Sequence, residues 1–118
     1  MAKVKIDCTI KNITLNEEVK LVSDGILNNK KIVYKDKDAI CELVIEEKEV
    51  TFLKKRFDGI NLRLNFKDKK NNYIDVLGDG YSTRIPLLTE SISIENNKIE
   101  VIYQIDNNER FLFCLIYE

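Results

Sequence analysis

Apolar and polar residues alternate with a period of two along most of this chain, the signature of strands that bury one face. The clearest run places Ile60, Leu62, Leu64 and Phe66 on one side and Asn61, Arg63, Asn65 and Lys67 on the other. A helix would scatter those four apolar residues around its circumference. Val4, Ile6, Cys8 and Ile10 alternate in the same way with Lys5, Asp7, Thr9 and Lys11, and Thr89–Glu95 repeats the pattern. Near the end of the chain, Ile99, Val101, Tyr103 and Ile105 share one side, with Glu100 and Gln104 opposite. A polar turn at 106–109 then leads into Arg110–Tyr117, apolar at nearly every position. A strand apolar on both faces predicts cover on both faces.

Two stretches admit a helix. Thr14-x-x-Glu17 has the form of a capping box, with Leu15, Val19 and Val22 on one stripe. Val19 and Leu21 nevertheless alternate with Glu18 and Lys20, and the run stops at Asp24-Gly25, which favours a strand. Ala39–Lys55 is rich in Glu, Lys and Leu, all good helix formers. Its apolar positions keep no 3.6-residue stripe, and Glu46–Glu49 divides them, so a hairpin is the better reading. Lys31–Lys35, Tyr73–Leu77 and Tyr81–Ile85 read as further short strands. Pro86 cannot donate to a ladder and marks an edge, a bulge or a strand end.

The punctuation between strands is regular. Asp-Gly falls at 24–25, 58–59 and 79–80, and Asn-Asn at 28–29, 71–72, 96–97 and 107–108. Both residue types tolerate the positive φ of tight hairpin turns. Strands interrupted by turn signals every ~8–12 residues, with no convincing long helix, indicate an all-β protein. Residues 1–118 read as one domain, a single antiparallel up-and-down β-barrel of about eight to ten short strands. Closure removes the edges that would otherwise pair between molecules.

Charge and residue usage narrow the function. Nineteen basic against twenty acidic side chains give no net field to attract a polyanion. Lys54-Lys55-Arg56 and Lys67 with Lys69-Lys70 are the local basic patches, diluted by Asp58 and Asp68, so nucleic acid is not an expected partner. No apolar run approaches the ~20 residues of a membrane span. Met1–Asp7 interleaves charged and apolar residues and has no apolar core of a signal peptide. Three widely spaced cysteines (Cys8, Cys41 and Cys114) fit a reducing compartment, and the expected location is the cytoplasm.

The chain has neither histidine nor tryptophan. That removes Ser-His and Cys-His nucleophile pairs and any histidine base, so an enzyme is not expected and no catalytic residue is assigned. No Cys-x-x-Cys exists for zinc, and Asp36 and Asp38 lack the glycine and distal glutamate of an EF-hand loop. No metal or cofactor is therefore expected. Cys8 and Cys41 share faces with aliphatic residues and read as small hydrophobes without a basic partner to activate them.

The order of features resembles the YwiB-type calycin-like β-barrel family of bacteria. The residues that carry the resemblance are the opening strand Lys3–Lys11, a second strand ending at Gly25, and Ile32-Val33-Tyr34. In the tail they are Thr89-x-x-Ile92-x-Ile94, Ile99-x-Val101-x-Tyr103, and Phe113 with Ile116-Tyr117. The resemblance implies a lipocalin-like barrel and brings neither substrate nor catalytic residues with it.

A small barrel has an interior that side chains just fill, or that holds one small ligand. The bulk of Leu62, Leu64, Phe66, Val101, Tyr103 and Ile105 predicts a filled interior with a shallow pocket at one end. Arg56 beside Phe57, and Arg84 between Tyr81 and Pro86, are placed to line such a mouth with an aromatic neighbour. With Tyr34, Tyr81 and Tyr103 they form the candidate ligand-binding set. The expected function is binding of a small apolar or amphipathic molecule at one barrel end. The alternative is a protein partner or homodimer using an exposed strand edge, to which Val22 and Ile102 point because they interrupt polar faces.

Overall fold

Among the described residues, 1–106 and 108–118, the computed structural model contains ten strands and no helix. They are β1 (Ala2–Asn12), β2 (Glu17–Asn28), β3 (Lys31–Asp36), β4 (Ala39–Glu46) and β5 (Glu49–Arg56). There follow β6 (Asn61–Lys67), β7 (Asn71–Gly78), β8 (Tyr81–Glu95), β9 (Lys98–Ile105) and β10 (Glu109–Tyr117). Each strand pairs antiparallel with its sequence neighbours, and β1 pairs with β10 to close an up-and-down barrel. The closing ladder runs from Ile6 opposite Tyr117 to Asn12 opposite Phe111. The hairpin preferred over a helix at Ala39–Lys55 is β4 and β5, and the stretch after Thr14 is β2.

Several turns fall where Asn and Gly announce them. Asn96 and Asn97 take φ of 45° and 66°, the paired left-handed geometry of a tight hairpin, between β8 and β9. Gly59 (φ 91°) and Gly80 (φ 81°) turn the chain into β6 and β8. At Asn71-Asn72 the expected turn is displaced. These residues open β7, and Lys69 (φ 59°) bends the chain before them. The turn expected at Asn107-Asn108 falls partly outside the described residues.

Asp24-Gly25 is not a turn. β2 runs straight through it, with Gly25 opposite both Val4 and Tyr34. The glycine is there because its neighbours leave no room for a side chain. A Cβ would sit 2.9 Å from Ile6 Cγ1 and 3.1 Å from the Val33 carbonyl oxygen, and the latter is backbone that cannot step aside. Gly25→Val is therefore expected to destabilise the barrel by about 1–3 kcal/mol through overpacking, read as a lowered urea midpoint.

Pro86 does not end its strand, since β8 continues from Tyr81 to Glu95. Pro86 lies opposite Tyr73, and its carbonyl accepts the Asp106 N–H at 2.8 Å. The carbonyl and the missing N–H point to the same side, where the β8–β9 ladder starts only at Leu87. No ladder bond is lost there. Three residues later a register shift between Thr89 and Ser91 bends β8.

The expectation of cover on both faces of β10 is also overturned. Phe113 and Leu115 are buried, but Leu112, Cys114 and Ile116 lie on the outer surface of a one-layer barrel. Their neighbours across the ladders, among them Lys11 and Ile102 beside Leu112, shield them in part.

The two barrel ends differ. Links after β2, β4, β6 and β8 gather at one end with both termini, and the remaining links form the other end, the mouth. In the terminal half, Ile6, Ile32, Leu43, Val50, Ile99, Val101 and Leu115 are fully buried and pack the interior beneath a recess at the end itself. That plug is the floor on which the site stands.

Candidate functional site

The mouth half is hollow. Above the plug, the next inward residues are Cys8 and Ile10 of β1, Tyr34 of β3, Phe52 of β5, Tyr103 of β9 and Phe113 of β10. With Leu21, Leu62, Leu64 and Phe66 they enclose a cavity of about 300 Å³. Aromatic rings from strands well separated around the barrel meet across the interior beside this space. Phe52 and Phe113 meet at 5.5 Å between centroids and Phe66 and Tyr103 at 4.8 Å, both tilted. Phe111 stacks behind Tyr103 at 5.4 Å. The bulky inward residues predicted a filled interior with a shallow pocket; the interior is only partly filled, and the pocket is deeper. Wider depressions occur at the terminal end, around Ile45, Ile94 and Tyr117, and along β1–β3, but these open broadly to solvent.

The cavity reaches solvent through a split in the wall. β2 pairs with β1 from Glu17 to Leu27, but with β3 only from Gly25 to Asn28. From Glu17 to Asp24 the other edge of β2 has no strand partner, and one bond from Ser23 Oγ to the Lys35 carbonyl spans the gap. Val19 lines the cavity and is nevertheless 71% exposed, because it stands where the wall is missing. Lys20, Asp36, Lys37 and Lys54 border the same opening, and Lys54 Nζ lies 3.4 Å from Asp36 Oδ2.

Inside, the polar atoms are neutral. Burial pushes the Cys8 thiol up to about 12 and the Cys41 thiol up to about 11. Burial also raises Tyr34 and Tyr103 well above the usual phenol range. The Tyr34 hydroxyl interacts with both thiols, so these three groups satisfy one another within the wall. Thiols held protonated are poor nucleophiles. No group of three or more Cys, Asp or Glu that could hold a metal occurs among the described residues. What the arrangement offers is an apolar space with hydroxyl and thiol hydrogen-bonding groups and a charged rim.

The five residues singled out from sequence fall in three places. Tyr34 and Tyr103 line the cavity. Arg56 and Tyr81 stand at the same end but outside it. Arg56 Nη2 is held by Asp58 at 2.8 Å, and the Tyr81 ring lies over Gly78. Arg84 sits on the outer surface, its Nε 2.8 Å from Asp75 and its guanidinium 4.8 Å from the Tyr73 ring centre. Its aromatic neighbour is thus across the ladder, not Tyr81. Sequence reasoning missed Phe52, Val19 and the rim charges. The signal for Lys54 and Asp36 was present: each shares strand parity with a buried aromatic, Phe52 and Tyr34.

These features define a ten-stranded, closed, antiparallel β-barrel with an apolar cavity that opens where β2 parts from β3. The fold is that of a YwiB-type barrel: the chain is similar to the crystal structure of the YwiB protein from Bacillus subtilis, with a TM-score of 0.71. The two are 13% identical, and the match covers 98% of this chain and 89% of that one, so the likeness concerns the fold alone. No protein-family model matches the sequence, and no curated protein matches it.

Proposed function

We propose that this barrel is a non-enzymatic binding protein that holds one small apolar or amphipathic molecule in its mouth cavity. The observation that carries the reading is the 300 Å³ apolar void itself. Protein interiors pack densely, and an engineered apolar cavity of about 150 Å³ already binds benzene, so a void this size in a small domain is a site in search of an occupant. Lack of histidine and protonation of the cavity thiols support a binding role over catalysis. The scattered, unpaired cysteines suit a cytoplasmic setting, and near-balanced charge makes nucleic acid a poor partner.

Calorimetric titration with octanol is expected to show saturable one-to-one binding, and native mass spectrometry a retained small molecule. A Leu62→Trp variant fills the cavity from its wall. It is expected to keep its stability within about 1.5 kcal/mol while octanol binding falls at least about tenfold. Absence of octanol binding to the unaltered protein would sink this reading.

The free edge of β2 favours a second reading, a homodimer or protein partner that adds a strand beside Glu17–Asp24. Val22, on the outer face of that segment, is 75% exposed, whereas Ile102 is half-buried between Leu112 and Ser91. Light scattering across a hundredfold dilution tests the homodimer. A constant monomer mass excludes it.

A further inference from the structure

We infer that the molecule held in the cavity is neutral and carries a carbonyl oxygen, which accepts a hydrogen bond from the Tyr103 hydroxyl. The inference rests on the cavity reading proposed above and adds the chemical class of ligand.

Tyr103 is 5% exposed and lines the cavity from β9. Phe111 stacks on its ring at 5.4 Å and Phe66 leans against it at 4.8 Å. The ring edge that ends in the hydroxyl is thus left to face the space. Burial holds that hydroxyl protonated, and the Cys8 thiol, another lining group, is near enough to add to the effect. The Tyr34 hydroxyl is engaged by Cys8 and Cys41, whereas the Tyr103 hydroxyl has no hydrogen-bond partner among the described residues. Burying an O–H without an acceptor costs free energy. A phenylalanine would pack the same place without that cost, so packing alone does not select a tyrosine here.

The wall also sets the character of the ligand's polar group. Tyr103, Tyr34 and Cys8 each bring a donor to the cavity, and a carbonyl accepts without bringing a donor of its own to satisfy. Charge is disfavoured. Lys54 and Asp36 at the opening answer each other at 3.4 Å, and Lys20 lies beside Glu18 at 3.9 Å. An ionic ligand would lose its hydration for no free counter-charge in the wall. At roughly 30 Å³ per non-hydrogen atom, the share one water takes in the liquid, 300 Å³ holds about ten such atoms. A small ketone or ester fits that description.

The test compares acetophenone with cumene, a hydrocarbon of the same size, by calorimetry on the unaltered protein and on Tyr103→Phe. The variant is expected to bind acetophenone about fivefold more weakly and cumene as before. Its urea midpoint without ligand should stay level or rise, because an unanswered hydroxyl has left the interior. In the unaltered protein the infrared carbonyl stretch of bound acetophenone should lie below its position in hexane, and Tyr103→Phe should return it there. Equal changes for both probes in the variant, or a carbonyl stretch at the hexane position in the unaltered protein, overturn the inference and leave the cavity reading standing. A stretch that stays low in Tyr103→Phe, or a lowered urea midpoint, overturns the assignment to Tyr103. Failure of both probes to bind overturns the cavity reading, and this inference with it.

Discussion

Urea denaturation is expected to show the barrel losing stability steeply once the pH passes 9. The Cys8 thiol has its pKa pushed from 9.0 to about 12 in the folded protein. Its protonated form is the one the fold favours. Below pH 9 the thiol is protonated in both states and its contribution is complete. Between pH 9 and 12 the unfolded chain ionises while the folded one does not, so stability falls by about 1.4 kcal/mol per pH unit. By pH 11 that loss is about 3 kcal/mol from Cys8 alone, a large part of what holds a small domain together. Cys41, pushed up to about 11, adds to the loss over the same window. Tyr34 and Tyr103 join above pH 10, since burial raises both from their ordinary value. Surface ion pairs contribute little to the trend. The check is the urea midpoint by circular dichroism from pH 8 to 11, in the original chain and in Cys8→Ala. The variant should be less stable at pH 8 but flatter above pH 9, by about 1.4 kcal/mol per unit. A parallel decline in both proteins would mean that Cys8 faces water, and the wall of the cavity would have to be redrawn.

The second large effect is expected at Phe66. Its ring is buried at the base of the cavity, opposite Val50 across the β5–β6 ladder and against Tyr103. Phe66→Ala removes that packing and extends a void that the rigid ladders cannot close. A cost of about 3–5 kcal/mol is expected, together with a fall in melting temperature of roughly 10–20 °C. Phe57, which is 62% exposed in the turn before β6, is the control. Phe57→Ala should change stability by no more than about 0.5 kcal/mol. Equal effects at the two positions would contradict the placement of Phe66 in the core.

How much of this was legible in the chain can be judged strand by strand. The run Ile60–Lys67 announces both its strand and its inward face, because side-chain direction in an extended chain follows from residue parity alone. Asn96-Asn97 announces its turn because left-handed φ is a local property of those residues. Gly25 and Pro86 mislead for a common reason. Each was read as punctuation, yet its place is set by a partner distant in sequence: Ile6 crowding Gly25, and β9 ending short of Pro86. Leu112, Cys114 and Ile116 mislead because nothing local distinguishes a strand between two layers from one in a single-layer wall.

The site divides along the same line. Tyr34 and Tyr103 were within reach because their parity points them inward, whereas Arg84 was chosen for its sequence neighbours and its ladder places it outside.

By itself the sequence determined the all-β class, a barrel of about eight to ten short strands with several of its corners, and most of the inward set, since these depend on residues close together in the chain. Only the tertiary structure decided where the interior packs tightly and where it leaves space, and that β2 parts from β3 along Glu17–Asp24. A cavity is the space that side chains from seven strands leave between them, and no single strand carries that information.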